Sequence, residues 1–75
     1  MTWKNTWKYM SGEVRVTVQA IDHNEQKRIF TFTCVVSNDI SGYDRLDYLS
    51  DVAHYMALLQ NYYHGEIIDV KELKL

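Results

Sequence analysis

Hydrophobic and polar positions alternate along the first half of the chain. Apolar or aromatic side chains dominate every second position in three stretches, 3–9, 14–20 and 30–36. A period of two that uses aromatic and β-branched residues is typical of strands buried on one face. We therefore predict three strands before residue 37. The inward face of the third strand is predicted to be Phe30, Phe32, Cys34 and Val36.

Two polar interruptions separate these strands. Ser11-Gly12 is a turn signal, and a two-residue hairpin loop there would place Met10 opposite Glu13. The same register pairs Trp3, Trp7 and Tyr9 with the second strand and collects the large apolar side chains on one side. The polar stretch 22–27 is predicted to form the loop before the third strand.

The apolar spacing changes to three and four residues in the second half, which predicts a helix. Ser41 is the predicted N-cap, and Gly65 is the predicted first residue beyond the C-terminal cap. The helix would be about 30 Å long, enough to cross a small sheet. Its predicted buried stripe consists of Leu46, Leu49, Val52, Ala53, Met56, Leu59 and Tyr63.

A last strand is predicted over 67–73, with Ile68 and Val70 facing inward. The predicted order is β-β-β-α-β in a single α+β domain over 1–75. One helix would pack on one face of a four-stranded sheet, mixed or antiparallel. The sequence leaves open where the last strand inserts. The opposite face would remain open, lined by Lys4, Thr6, Lys8, Arg15, Thr17, Gln19, Thr31 and Thr33.

Composition narrows the class of protein. Seventy-five residues is near the size at which one core barely suffices, and the 47% hydrophobic content without proline indicates a folded domain. Cys34 is the only cysteine, which excludes an intrachain disulfide and is typical of a reducing compartment. Its place in a strand favours a small buried hydrophobe over a nucleophile. With neither a signal peptide nor an apolar run of membrane-spanning length, we expect a cytoplasmic protein without membrane contact.

Motifs for catalysis are missing from the sequence. The three glycines are isolated, so no phosphate-binding loop is predicted, and no serine lies in a nucleophile-elbow motif. Asp47, Asp51 and His54 would share one side of the helix and could hold a divalent ion. Acidic residues near a helix start are also favoured by the helix dipole alone. We therefore expect no enzyme activity, no cofactor and no metal.

The predicted helix carries a regular pattern of tyrosines. Tyr48, Tyr55 and Tyr62 are spaced seven residues apart and would form a column at the edge of the apolar stripe. Tyrosines of this kind are enriched at interfaces, although they could also simply cover the edge of the core. The predicted protein-binding site consists of this column and its solvent-side neighbours, Asp44, Asp47, Tyr48, Asp51, Tyr55, Leu58 and Tyr62.

The uneven distribution of charge along the chain also favours a protein-binding surface. Residues 1–38 hold five bases and three acids, whereas residues 39–75 hold three bases and seven acids, within a net charge of −2. Such a split predicts two differently charged faces. In size, single α+β domain, lack of catalytic motifs and acidic helix, the chain resembles the small anti-CRISPR-like proteins with which bacteriophages and mobile elements inhibit host nucleic-acid enzymes. This resemblance implies an inhibitor whose protein partner presents a basic surface.

Two other function classes compete with this hypothesis. The open sheet face could bind nucleic acid through Lys4, Lys8, Arg15, Lys27 and Arg28, with an affinity that falls steeply with salt. Alternatively, the chain could be a structural subunit of a homodimer or larger assembly, with a melting temperature that depends on concentration.

Overall fold

The computed structural model describes residues 10, 12–37 and 42–73, with the helix side chains described from Arg45 onward. Four elements lie in this part of the chain: β1 (Gly12–Ile21), β2 (Lys27–Val36), α1 (Gly42–Leu59) and β3 (Tyr63–Glu72). The strands form one antiparallel sheet in the order β2-β1-β3. The α+β class is confirmed, with three strands found in the described residues.

β1 occupies the centre of this sheet and is paired along both edges. Val16, for example, lies opposite Phe32 of β2 and Val70 of β3. The predicted pairing of this strand with the stretch 3–9 is therefore wrong, because a strand has only two edges and both are used. The stretch 3–9, Ser11 and Ser41 themselves lie outside the described residues.

The polar stretch 22–27 was predicted to be a loop, and the structure shows that it forms a tight hairpin connection between β1 and β2. The backbone N–H of Glu25 donates to the carbonyl of Asp22 at 3.0 Å, and the N–H of Asp22 donates to the carbonyl of Gln26 at 3.0 Å. Glu25 has a φ of 61°, in the left-handed region. A type I turn followed by a left-handed residue is a common three-residue hairpin connection.

Asp22 holds this hairpin together from inside. Its side chain is largely buried, and Oδ1 accepts hydrogen bonds from the backbone N–H groups of Asn24 and Gln26 at 2.8 and 3.0 Å. Its Oδ2 accepts from Nε of Arg28 at 2.8 Å. The N–H of Gln26, followed by the Arg28 guanidinium, lowers the pKa of Asp22 from its ordinary value. The carboxylate therefore stabilises the turn in its ionised form.

β3 is longer than predicted and its pairing with β1 shifts twice. One shift falls between Thr17 and Val18, where Val18 lies opposite Ile67 while Thr17 lies opposite Asp69. Ile68 is the extra residue of this bulge and is 41% exposed. Ile67, rather than Ile68, packs against the core together with Val70, so the prediction was right for Val70 and wrong for Ile68.

The helix ends four residues earlier than predicted, because Asn61 rather than Gly65 is the first residue beyond its C-terminal cap. The N–H of Asn61 donates to the carbonyl of Leu58 at 3.0 Å, and the N–H of Tyr62 donates to that of Ala57 at 2.9 Å. Asn61 has a φ of 62°. These two bonds around a left-handed residue form a Schellman motif, with Asn61 in the position usually held by glycine. Asn61 was the signal in the sequence for the correct end.

The core lies between α1 and one face of the sheet. The helix packs mainly against β3 and less extensively against β1. The predicted inward residues of β2 are confirmed, since Phe32 and Val36 are buried and Phe30 and Cys34 pack against them. The buried cluster consists of Met10, Val14, Val16, Val18, Phe32, Val36, Leu49, Ala53 and Val70. Among the described residues, no helix has the length and apolar character needed to cross a bilayer.

Candidate functional site

The orientation of α1 is set by small residues. Its buried face is Leu49, Ala53 and Ala57, and the two alanines lie directly over Gly65 of β3. A Cβ atom added at Gly65 would lie 3.1 Å from the Cβ of Ala57 and 3.4 Å from the carbonyl oxygen of Ala53. Gly65 is therefore needed for a close helix–strand approach and does not terminate the helix. This contact fixes which side of α1 faces solvent.

The tyrosines of the helix lie on that solvent side. At about 100° per residue, Tyr48 and Tyr55 are roughly 140° and 160° around the helix from the buried Ala53. They were predicted at the edge of the apolar stripe, and this prediction was wrong because the helix packs through its alanines. The buried face is rotated towards Ala57, which the predicted stripe did not include. The tyrosines are consequently further from the core than the sequence indicated.

Two leucines extend this exposed apolar area. Leu58 is 52% exposed and Leu59 is 60% exposed, and Tyr55 beside them is also 60% exposed. The exposure of Leu58 was predicted. Leu59 was predicted in the core, but it lies roughly 120° from Ala53 and faces solvent. Positions three and four residues after Tyr55 are its neighbours on a helix, so the three side chains form one cluster.

Acidic side chains flank the cluster. Asp47 and Asp51 are exposed and one helical turn apart, and Asp51 is one turn before Tyr55. The last turn of α1 carries no basic residue. We call the surface formed by Asp47, Tyr48, Asp51, Tyr55, Leu58 and Leu59 the outer helix surface. The side chain of Asp44, also predicted to contribute, lies outside the described part.

Tyr62 does not belong to the outer helix surface. Because α1 ends at Leu59, the seven-residue column stops after Tyr55. Tyr62 is half-buried, and its ring packs against Phe30 of β2 with centroids 6.2 Å apart and an interplanar angle of 43°. Its role is to close the core at the end of the helix.

The other predicted surface, the face of the sheet turned away from α1, carries mixed charge. We call it the open sheet face. On it, Arg15 lies between Thr33 and Lys71, whereas Thr17 lies between Thr31 and Asp69. Its described members are Glu13, Arg15, Thr17, Gln19 and Ile21 of β1, Lys27, Ile29, Thr31, Thr33 and Val35 of β2, and Glu66, Asp69 and Lys71 of β3.

The bases predicted to bind nucleic acid do not form one patch among the described residues. Arg28 has the parity of the inner face, opposite Ala20, and is paired with Asp22. Lys27 lies at the first position of β2, opposite Ile21, at the far end of the strand pair from Arg15. Lys4 and Lys8 lie outside the described residues. The structure therefore separates Arg15, Lys27 and Arg28.

The remaining reactive groups offer little chemistry. Burial raises the pKa of the Cys34 thiol, which disfavours the nucleophilic thiolate. His23, Tyr63 and His64 form a chain of ring contacts at the hairpin end, with centroid distances of 6.4 and 5.1 Å. Among the described residues no group of three His, Cys, Asp or Glu side chains could hold a metal ion. The outer helix surface is thus the strongest candidate site.

Comparisons of the chain with protein families, with characterised proteins and with solved structures gave no match.

Proposed function

We propose that this protein is a non-enzymatic protein-binding module that recognises a basic partner through the outer helix surface. One observation carries the proposal: Tyr55, Leu58 and Leu59 are each more than half exposed and adjacent, with Asp47 and Asp51 beside them. Contiguous exposed apolar side chains rimmed by polar ones mark interaction sites on small soluble domains. Isolated exposed leucines would not carry this argument, but a cluster with a tyrosine does.

The two kinds of side chain would contribute differently to binding. Tyr55 and the leucines bury apolar area, and tyrosine does so at a low entropic cost with a hydroxyl that can find a partner. The carboxylates of Asp47 and Asp51 would steer a basic partner during the encounter and orient it. We therefore expect the apolar residues to determine the dissociation rate and the acids to determine the association rate.

The class of target follows from the charge. Proteins that process nucleic acids present basic channels to the phosphate backbone. A rigid helix with carboxylates one turn apart, followed by an apolar cluster, is suited to occupy such a channel. We propose that the protein inhibits a nucleic-acid enzyme in this way, and this target class rests on the charge pattern alone.

The test combines partner capture with matched variants. The tagged protein is used at submicromolar concentration to capture partners from a lysate of the cells in which it acts, with and without nuclease treatment. Tyr55→Ala/Leu58→Ala removes the centre of the outer helix surface. Ile29→Ala/Val35→Ala removes comparable exposed apolar area from the opposite side of the domain.

We expect the captured protein to bind the helix variant at least about 30-fold more weakly, as for a pair of hot-spot residues, and to bind the sheet variant normally. Asp47→Asn/Asp51→Asn should slow association and weaken its salt dependence, with little effect on dissociation. Two outcomes would show that the outer helix surface is not a protein-binding site. One is normal binding by the helix variant, and the other is recovery of nucleic acid together with proteins that are all lost after nuclease treatment.

A further inference from the structure

The open sheet face is a described surface that the proposed function does not use. Two β-branched residues of β2, Ile29 and Val35, are 64% and 67% exposed on it. Between them lie Thr31 and Thr33, which are small and also β-branched. A face with short side chains at its centre can approach another sheet at the usual separation of about 10 Å.

We propose that the open sheet face binds a second copy of this chain, around a two-fold axis at right angles to the strands. Such an axis places each strand over the same strand of the second copy, running in the opposite direction. We place the axis midway between Arg15 and Thr17 along the strand direction. Each residue then faces the residue of the second copy that lies on the same strand, equally far from the axis on its other side. The registers of β1 with β2 and with β3 then determine every pair.

The resulting pairs are complementary in charge and in polarity. Lys71 lies level with Arg15 and Asp69 lies level with Thr17, so Lys71 of each copy meets Asp69 of the other. Val35 lies level with Glu13 and Ile29 lies level with Gln19, so the two exposed apolar residues meet each other. Each contact occurs twice by symmetry. Among the residues that these registers describe, no like charges face each other in this arrangement.

The alternative face-to-face axis, parallel to the strands, is not self-complementary. It would place β1 over β1 in the same direction, so that Arg15 faces Arg15 and Glu13 faces Glu13 at the centre of the interface. Like charges directly opposite each other are destabilising. The charge pattern therefore selects one of the two symmetric arrangements.

The area available predicts a weak dimer. About a dozen residues a side would be buried, roughly half the number in a standard stable interface, which corresponds to about 800 Å² in total. An interface of this size belongs to the weak and transient class. We therefore expect dissociation constants in the micromolar range, with dimers populated only at high local concentration.

The dimer would have four layers, with the two sheets inside and the two helices outside. Each outer helix surface would remain exposed, and the two would face in opposite directions. A dimer could thus engage two partner molecules, or two sites on an oligomeric partner, and gain avidity. Self-association would not compete with the proposed partner binding.

Sedimentation of the full chain over a range from about 1 µM to 1 mM tests the proposal. The wild-type protein should show a monomer–dimer equilibrium. Asp69→Lys places like positive charges opposite each other, and Lys71→Asp places like negative charges there. Each variant alone should raise the dimer dissociation constant at least tenfold, because like charges across an interface are strongly unfavourable.

The decisive arm mixes the two variants. Every repulsive contact then becomes attractive between unlike copies, so an equimolar mixture should dimerise within about threefold of the wild-type affinity. The double variant Asp69→Lys/Lys71→Asp should behave in the same way. Circular dichroism of each variant verifies that it is folded.

Asp51→Lys, on the outer helix surface, serves as the charge control. A monomeric wild-type protein at 1 mM, a mixture that stays monomeric, or a dimer disrupted by Asp51→Lys would each overturn the proposal. The partner capture described above uses submicromolar protein and helix variants. A failure of the dimer therefore leaves the proposed function unaffected, and the reverse also holds.

Discussion

At the scale of single residues, Asp22 shows how one carboxylate organises a turn. It is only 7% exposed, yet both of its oxygens are satisfied by groups within six residues along the chain. The turn also holds Glu25 in a left-handed conformation, which costs a non-glycine residue about 1 kcal/mol or more. The hydrogen bonds to Asp22 offset this strain.

The lowered pKa of Asp22 predicts a specific dependence of stability on pH. A group whose pKa is lower in the folded state stabilises the fold fully above its unfolded pKa, here about 3.8, and loses that contribution as the pH falls through the folded value. Asp22→Asn should therefore lower the urea midpoint clearly at pH 7, and the gap to wild type should shrink as the pH falls below about 4.

Chemical denaturation at pH 7, 5 and 3 measures this gap. Asp51→Asn makes the same change in net charge on an exposed part of the helix and controls for general charge effects. A gap for Asp22→Asn that is equally large at pH 7 and pH 3 would contradict the assigned role of the ionised carboxylate.

At the scale of elements, the contact of α1 with β3 decides the shape of the candidate site. Ala53 and Ala57 permit the helix to approach Gly65 closely, so the larger side chains of α1 turn outward. The exposure of Tyr55 and Leu59 is thus a consequence of two alanines and one glycine. A helix that packed through larger residues would have buried part of the outer helix surface.

Gly65→Ala should therefore destabilise the fold, by roughly 1–3 kcal/mol, because the added methyl group meets Ala57 at 3.1 Å and the helix must shift. Ala57→Gly removes that obstacle at a cost of about 1 kcal/mol in helix propensity. In the double variant the total loss should be smaller than the sum of the two single losses. Urea unfolding of all four proteins measures this coupling, and strict additivity would show that the contact does not limit the helix position.

At the scale of the whole molecule, β1 is the strand on which the fold depends. It separates β2 from β3, and its three valines are fully buried beneath the helix. A domain of 75 residues has a total stability of only about 4–11 kcal/mol. The free energy lost with a single buried contact on β1 is therefore a large fraction of the total stability.

Val16→Ala should lower the free energy of unfolding by about 2–3 kcal/mol, since it removes buried methyl groups and leaves a cavity between two neighbouring strands. Val35→Ala makes the same chemical change at an exposed position on β2 and should change stability by less than about 0.5 kcal/mol. Thermal and urea unfolding compare the two. Equal losses would contradict the central position of β1.

Much of the candidate site could be predicted from the sequence, but its orientation could not. The exposure of Asp47, Asp51 and Leu58 follows from helical periodicity, and the structure places all three in solvent. Tyr62 and Leu59 were misplaced, the first because Asn61 ends the helix early and the second because the helix packs through Ala57. The early helix end depends on a left-handed residue and the helix rotation depends on small side chains, whereas the periodic pattern reflects hydrophobicity alone.

The sequence by itself determined the features that depend on local spacing. These are the strand character and inward faces of β1 and β2, the loop between them, the existence of the helix and the α+β class. Only the tertiary structure decided that β3 pairs with β1, that a bulge turns Ile67 inward, and that the helix lies on its alanines. The physical reason is that alternation and helical period are properties of neighbouring residues, whereas strand order and helix rotation depend on contacts between residues distant in the chain.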